Sequence, residues 1–162
     1  MITKKFLSIV IFSAVILLFF QSEKALALPT PLSKKELEEK SELIIEGEVL
    51  GVILNNIQTD KNWEYYYYTA WIKTEKVLKG NLSYNDTVQI GWKKKRWLGE
   101  EKERPIGGAF EPDYYPREKV RAYLKQSDNK EILTTIYWNG KIPLNEVPKI
   151  LPEKSGEVIF CP

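Results

Sequence analysis

The feature that most constrains the fold is a long alternation of aromatic and apolar residues from Trp63 to Leu78. Successive side chains of a β-strand point to opposite faces of a sheet. One face of this segment would carry Tyr66, Tyr68, Ala70 and Ile72, and the other Tyr65, Tyr67, Thr69, Trp71 and Lys73. A flat sheet with aromatic residues on both faces would leave one of them uncovered. The segment therefore predicts a long strand in a sheet that curls.

Four further segments show strand patterns, and turn residues separate them. The predicted strands begin at Leu43, with a bend at Gly51 and a loop or hairpin turn from Asn55, and continue with 87–92, 118–125 and 131–138. The alternation predicts that the Ile72 face of the long strand points inward, as do Val88, Ile90 and Trp92 of the third strand and Val120, Ala122 and Leu124 of the fourth. Residues 93–116 are predicted to be a loop. Five strands, one of them long and bent, predict a mostly β domain over residues 42–140. Its expected form is a small five-stranded antiparallel barrel of the oligonucleotide/oligosaccharide-binding (OB) type.

Two segments flank this domain. Residues 28–41 are a lead-in and a short helix, because Ser33 and Glu36 have the spacing of a capping box, which predicts a helix over about 33–41. Leu37 is its expected inward residue. Residues 141–162 are a proline-rich tail that is expected to wrap the barrel.

The first 27 residues predict export. Lys4 and Lys5 precede an uncharged run from Phe6 to Phe20, which is shorter than the roughly 20 residues of a membrane span. Ala25 and Ala27 then fit a signal peptidase site. We expect a cleaved signal peptide over 1–27, a secreted or periplasmic product, and membrane contact only through this segment before cleavage. An uncleaved anchor is the alternative.

The charge balance limits the classes of partner, and the cysteine content limits how the fold can be stabilised. The chain has 24 basic and 22 acidic side chains, and residues 1–27 hold three lysines and one glutamate, so the remainder is balanced in charge. No nucleic-acid partner is therefore expected. Because Cys161 is the single cysteine, no internal disulfide can form, and the core has to stabilise the domain. Cys161 itself is expected to lie in a frayed tail, and pairing between chains or a free thiol are the alternatives.

Three short segments resemble exported bacterial domains of the tissue-inhibitor-of-metalloproteinase-like, or netrin-like, OB type. They are 41–49 (SELIIEGEV), 68–80 (YTAWIKTEKVLKG, with its Val-Leu-Lys-Gly ending) and 119–124 (KVRAYL), and the resemblance covers about residues 41–138. The animal inhibitors bind catalytic zinc through an N-terminal cysteine held by disulfides. Here the expected mature end is Leu28-Pro29, so the resemblance implies the barrel and not protease inhibition.

Catalytic and metal-binding patterns are weak. The chain contains no histidine, so the usual general base is missing. Glu46 with Glu48 is expected to be a solvated pair on an outward face, and Glu111 with Asp113 a plain polar loop. We expect no catalytic residue, no metal site and no cofactor.

Aromatic and basic residues are the remaining candidates for a site. Rings on alternate residues of one strand can stack on sugars or pack on a partner. A basic run with an interleaved ring is suited to an anionic ligand. The candidate binding residues are Trp63, Tyr65, Tyr67, Trp71, Lys93, Lys94, Lys95, Arg96 and Trp97.

The predicted function is that of a non-enzymatic exported module that recognises an envelope protein or polysaccharide. A structural or assembly module with its aromatic face buried is the alternative. A carboxylate-dependent hydrolase is a further alternative, and it would need two acids that face each other across a cleft.

Overall fold

A computed structural model of the chain describes residues 29–104, 110–127 and 132–161. The predicted signal peptide, 1–27, lies outside the described residues. Among those that are described, no helix has the length and apolar character needed to cross a bilayer. The elements in chain order are α1 (Lys34–Lys40), β1 (Leu43–Asp60), β2 (Trp63–Lys79), β3 (Thr87–Trp97), a 3-10 turn (Glu101–Glu103), β4 (Lys119–Gln126), β5 (Leu133–Thr135), β6 (Lys141–Pro143) and β7 (Val158–Phe160).

The chain is mostly β, and its strands form one seven-stranded mixed sheet in the order β6-β4-β5-β3-β2-β1-β7. β4 also pairs with β1, from Leu43 opposite Leu124 to Glu48 opposite Lys119. The pairings therefore run from β1 through β2, β3, β5 and β4 and return to β1. Five antiparallel strands were expected. The described residues form seven, because the tail supplies β6 and β7. The strands are not all antiparallel, since β3 pairs with β5 in parallel at Ile90 and Leu133.

The apolar core lies on the faces that the alternation assigned to the interior. Tyr68, Ala70 and Ile72 of β2 are at most 6% exposed, which confirms the inward parity of that strand. The inward residues predicted for the other strands are buried as well: Val88, Ile90, Trp92, Val120, Ala122 and Leu124. Each large apolar side chain buried in this way contributes about 1.5–3 kcal/mol.

The predicted bend at Gly51 is a bulge. The β1–β2 register shifts between Val49 and Gly51, so that Leu50 is an extra residue. A Cβ atom on Gly51 would lie 2.6 Å from Cδ1 of Phe160, so glycine is what lets β7 approach β1 here. The Phe160 ring also stacks on Trp71, with ring centroids 5.7 Å apart.

Two strands extend into segments that were predicted to be loops. β1 continues through Asn55 and Asn56 to Asp60, with a register shift between Leu54 and Asn56, and its turn falls at Lys61, where φ is +50°. β3 continues through the basic run to Trp97. We call residues 55–60, 63–67 and 93–97 of these strands the extension. Their remainder, with β4, is the core part.

The two flanking segments also differ in how well the sequence predicted them. Ser33 and Glu36 form the predicted capping box, and Leu37 is the buried residue of α1. Cys161 does not lie in a frayed end: its backbone N–H donates to the Leu50 carbonyl at 2.8 Å, and its Sγ lies 3.1 Å from the Val49 carbonyl oxygen. The tail is thus held on the sheet, through β6 on β4 and β7 on β1.

Candidate functional site

Most of the candidate residues meet on one face of the extension. Directly opposed residues of two paired strands share a face. The β2–β3 register opposes Trp63 to Trp97, Tyr65 to Lys95, and Tyr67 to Lys93. We call these six residues the aromatic–lysine face. The three residues of β2 are partly buried, and both lysines are exposed.

Each lysine of this face leans diagonally onto a ring. The Lys95 Nζ lies 4.6 Å from the centroid of the Trp63 ring, and the Lys93 Nζ lies 5.3 Å from that of Tyr65. The Trp97 ring contacts Trp63 edge-on, with centroids 4.9 Å apart. Within the described part of the chain, no carboxylate oxygen comes within 4.0 Å of either lysine nitrogen. Their charge is therefore available to a ligand.

β1 borders the rings with polar side chains. Asn56, Gln58 and Asp60 lie opposite Tyr67, Tyr65 and Trp63 in the β1–β2 register. The Tyr67 hydroxyl donates to Gln58 Oε1 at 3.2 Å. Three columns of side chains therefore lie side by side: the amides on β1, the rings on β2 and the lysines on β3. A single carboxylate, that of Asp60, lies at the outer end of the amide column.

A cleft of about 630 Å³ opens beside the lysine column. Phe110, Glu111 and Asp113 form its other wall. Glu111 anchors this wall, because its Oε2 accepts the backbone N–H of Lys93. Trp63, Tyr65, Lys93 and Lys95 line the cleft together with Lys94, so this part of the face is concave rather than flat.

The basic run does not act as one patch, because its residues alternate between the two faces. On the other face the Arg96 Nη2 lies 2.6 Å from Glu64 Oε2, and the Lys94 Nζ lies 2.9 Å from Asp113 Oδ2. Tyr66 hydrogen-bonds Glu64 and lies beneath the Arg96 guanidinium, 5.8 Å away. Asp113 and Glu64 therefore form ion pairs with Lys94 and Arg96, whereas Lys93 and Lys95 have no described carboxylate within salt-bridge distance.

Trp71 does not join the aromatic–lysine face either. It shares the parity of Tyr65 and Tyr67, but it lies farther along β2, opposite Gly51, where the Phe160 ring covers it. The structure thus brings six of the nine candidate residues together. It places Arg96 and Trp71 elsewhere, and Lys94, whose ammonium group pairs with Asp113, lines the cleft beside the face.

A buried network that the sequence did not predict supports the cleft wall. The Lys141 Nζ lies 2.6 Å from Glu118 Oε2, and both side chains are less than a tenth exposed. Lys141 also donates to the Asp113 carbonyl and lies 5.0 and 5.3 Å from the Tyr114 and Tyr115 rings. Burial lowers the pKa of Lys141, and the Glu118 carboxylate opposes that shift. No local pattern could reveal this pairing, since Lys141 lies in the tail.

The Asp113 carboxylate fixes the same wall to the core. It accepts from the Trp92 indole N–H at 3.2 Å and from the Tyr115 hydroxyl at 3.0 Å. Burial, followed by the Asp113 charge, raises the pKa of Tyr115, and burial also raises the pKa of Tyr114. The pKa of Tyr68 rises to about 12, chiefly through burial. These hydroxyls remain protonated donors at neutral pH.

The other acidic candidates, Glu46 and Glu48, are half-buried on β1 rather than fully solvated. Glu46 Oε1 accepts from Arg121 Nε at 2.9 Å, and Glu48 lies opposite Lys73 in the sheet. Over residues 29–104, 110–127 and 132–161, no three histidine, cysteine or acidic residues cluster as metal ligands would.

Comparison with protein-family models, with curated proteins and with solved structures finds no match to this chain.

Proposed function

We propose that the protein is an exported, non-enzymatic module that binds an acidic polysaccharide on its aromatic–lysine face. One observation carries the proposal. Three rings stand in a row on one strand, and two lysines that no described acid neutralises lie over the first two of them.

The row of rings favours a sugar polymer. Residues two apart on a strand lie about 6.6 Å apart along the backbone, so Trp63, Tyr65 and Tyr67 form an aromatic surface with a regular repeat. The C–H faces of pyranose rings pack on such surfaces. The exposed amides of Asn56 and Gln58 beside them suit hydroxyl groups, because an amide both donates and accepts hydrogen bonds.

The lysines favour an acidic polymer. Lys93 and Lys95 keep their charges free on this face, whereas Lys94 and Arg96 on the other face are paired with acids. Carboxylate or phosphate groups along a sugar chain would complement the two free ammonium groups.

The scaffold proposed for this site is an OB-type barrel of five strands, with β6 and β7 as additions. The return of the pairings from β4 to β1, and the parallel contact of β3 with β5, support it. Export is proposed from the pattern of residues 1–27. Intact mass of the protein from the producing cell should show an N-terminus at Leu28, and a chain that still begins at Met1 would contradict it.

A structural or assembly role remains the second candidate, and one observation favours it. Trp71 and Phe160 cover each other, so part of the outward aromatic surface is already buried within the chain. On that view a partner protein would cover the aromatic–lysine face in the same way.

The decisive experiment measures binding to three matched probes. They are polygalacturonate, its methyl ester, which keeps the sugar chain without charge, and polyglutamate, which has the charge without sugars. We expect binding to polygalacturonate that weakens with salt and is strongest among the three. Equal binding to polyglutamate would reduce the site to a charge patch, and no binding to either sugar polymer would overturn the proposal.

Variants locate the site. Tyr65→Ala should weaken binding about tenfold, the factor that corresponds to about 1.4 kcal/mol of lost contact. Tyr84→Ala is the control, because Tyr84 is 69% exposed in the turn at the opposite end of β2 and β3. Lys93→Gln should reduce the preference for the charged polymer, with Lys76→Gln, an exposed lysine of β2 outside the site, as the charge control.

A further inference from the structure

A second cleft adjoins the aromatic–lysine face. It has a volume of about 360 Å³, and its lining includes Lys125, Thr134, Tyr137 and Trp138. Phe110 and Glu111 line both this cleft and the one beside Lys93 and Lys95. The two clefts are therefore neighbours on either side of one short wall.

The second cleft repeats the chemistry of the first. Trp138 is 38% exposed, and its ring lies beside that of Tyr137, with centroids 6.3 Å apart. Lys125 is exposed, and no described carboxylate lies within salt-bridge distance of its nitrogen. Thr134 is its partner across the β4–β5 pairing and brings a hydroxyl group. Rings, a hydrogen-bonding side chain and a free cation thus occur together again.

The wall between the clefts is itself suited to a sugar chain. Phe110 is 64% exposed, so its ring offers an apolar surface to solvent. Glu111 is tied down, since its carboxylate accepts the backbone N–H of Lys93. A chain that leaves the first cleft would therefore meet an open ring before it reached the second.

We propose that the second cleft is a further subsite for the same ligand, and that one acidic polysaccharide chain crosses Phe110 to occupy both clefts. This proposal rests on the proposed function, because it assigns the same polymer to the second cleft. The free lysines at the two ends, Lys93 with Lys95 and then Lys125, complement acidic groups along one chain.

The test is the dependence of affinity on chain length. Galacturonate oligomers of increasing length are titrated into the mature protein by calorimetry. Short oligomers fill one cleft. Longer ones should gain at least about tenfold in affinity once they reach the second, because linking two contacts makes the second intramolecular.

Two variants connect that gain to the second cleft. Trp138→Ala and, separately, Lys125→Gln should abolish the gain from length while leaving the affinity for the shortest binding oligomer unchanged. Lys125 is exposed, so its variant keeps the test valid if Trp138→Ala fails to fold. Ile150→Ala, at a residue that is 58% exposed and lines neither cleft, is the control.

The outcomes separate the two proposals. Binding of short oligomers without any gain from length, or a gain that survives both variants, overturns the second subsite and leaves the first site standing. Failure of every oligomer to bind overturns the proposed function and the second subsite together.

Discussion

Each of the strands β1, β2 and β3 runs through both the core part and the extension. The alternation of side chains has a different role in each. In the core part, the inward residues of these strands, such as Val52, Ile72 and Ile90, are fully buried. In the extension, no residue of the three strands is buried, and rings and charges occupy both faces. Stability is therefore concentrated in one part of each strand, and binding chemistry in the other.

The difference follows from what covers each face. In the core part, inward side chains of β1, β2, β3 and β4 pack into one buried cluster, so apolar side chains lose their contact with water. In the extension, the three strands pair only with one another among the strands that the structure describes. Side chains there stabilise one another across strands through cation–π contacts and ion pairs. Such contacts are worth about 0.5–1 kcal/mol at exposed sites.

The largest expected difference in the free energy of unfolding is between variants of two lysines, Lys141 and Lys94. Lys141→Met would leave the Glu118 carboxylate buried without its cation, and breaking a buried pair in this way costs about 3–5 kcal/mol. Lys94→Met breaks the more exposed pair with Asp113 and should cost at most about 1 kcal/mol. Urea unfolding of both variants measures the difference, and equal losses would show that the extension is as integral to stability as the core.

A second contrast lies within β2 alone. Ile72→Ala removes a fully buried side chain and should cost about 2–5 kcal/mol. Tyr65→Ala, seven residues earlier in the extension, should cost less than about 1 kcal/mol. If Tyr65→Ala and Tyr67→Ala both unfold the domain, the aromatic–lysine face is a structural surface and the binding proposal fails.

Alkaline pH should lower the free energy of unfolding through Tyr68, a buried tyrosine of the core part. The pKa of an unfolded tyrosine is about 10, whereas the pKa of Tyr68 in the folded protein is about 12. The contribution of Tyr68 is therefore fully present below about pH 10 and is lost as the pH rises towards 12. Chemical denaturation at several alkaline pH values should show this decline, and Tyr68→Phe should make it shallower. An unchanged decline would assign it to Tyr114 and Tyr115.

The smallest effect is expected at the border of the core part. The Cys161 Sγ lies near the Val49 carbonyl oxygen, and a serine hydroxyl can donate to the same atom. Cys161→Ser should therefore change the free energy of unfolding by no more than about 0.5 kcal/mol. A larger loss in thermal unfolding would mean that the thiol contributes through its packing.

The core part could be predicted from sequence because burial leaves a period-2 pattern. Ile72, Val88 and Val120 all lie on the faces that their alternation assigned to the interior. The capping box at Ser33 was equally local, since its two partners are three residues apart. Where a structure is decided within a few residues, the pattern was sufficient.

The extension could not be predicted in the same way. Lys93 to Arg96 contain no apolar residue, so nothing in the run indicates a strand. They form one because β2 pairs with them residue by residue and its rings accept the lysines. Asn55 and Asn56 are turn formers, but here they accompany a shift of register in a continuing strand. The site is therefore only partly visible from sequence, since Phe110 reaches it through tertiary contacts alone.

The double pairing of β1 has a consequence for the order of folding. Its partner β2 follows after a two-residue turn, whereas Glu46 meets Arg121 at a separation of 75 residues. Contacts between residues so distant in the chain pay a larger loop-closure entropy and slow the folding of a domain. We expect β1, β2 and β3, which pair in sequence order, to form early and β4 to dock late. Until it does, the first residues of β1 present an unpaired edge, and the newly made chain is most vulnerable to aggregation during that interval.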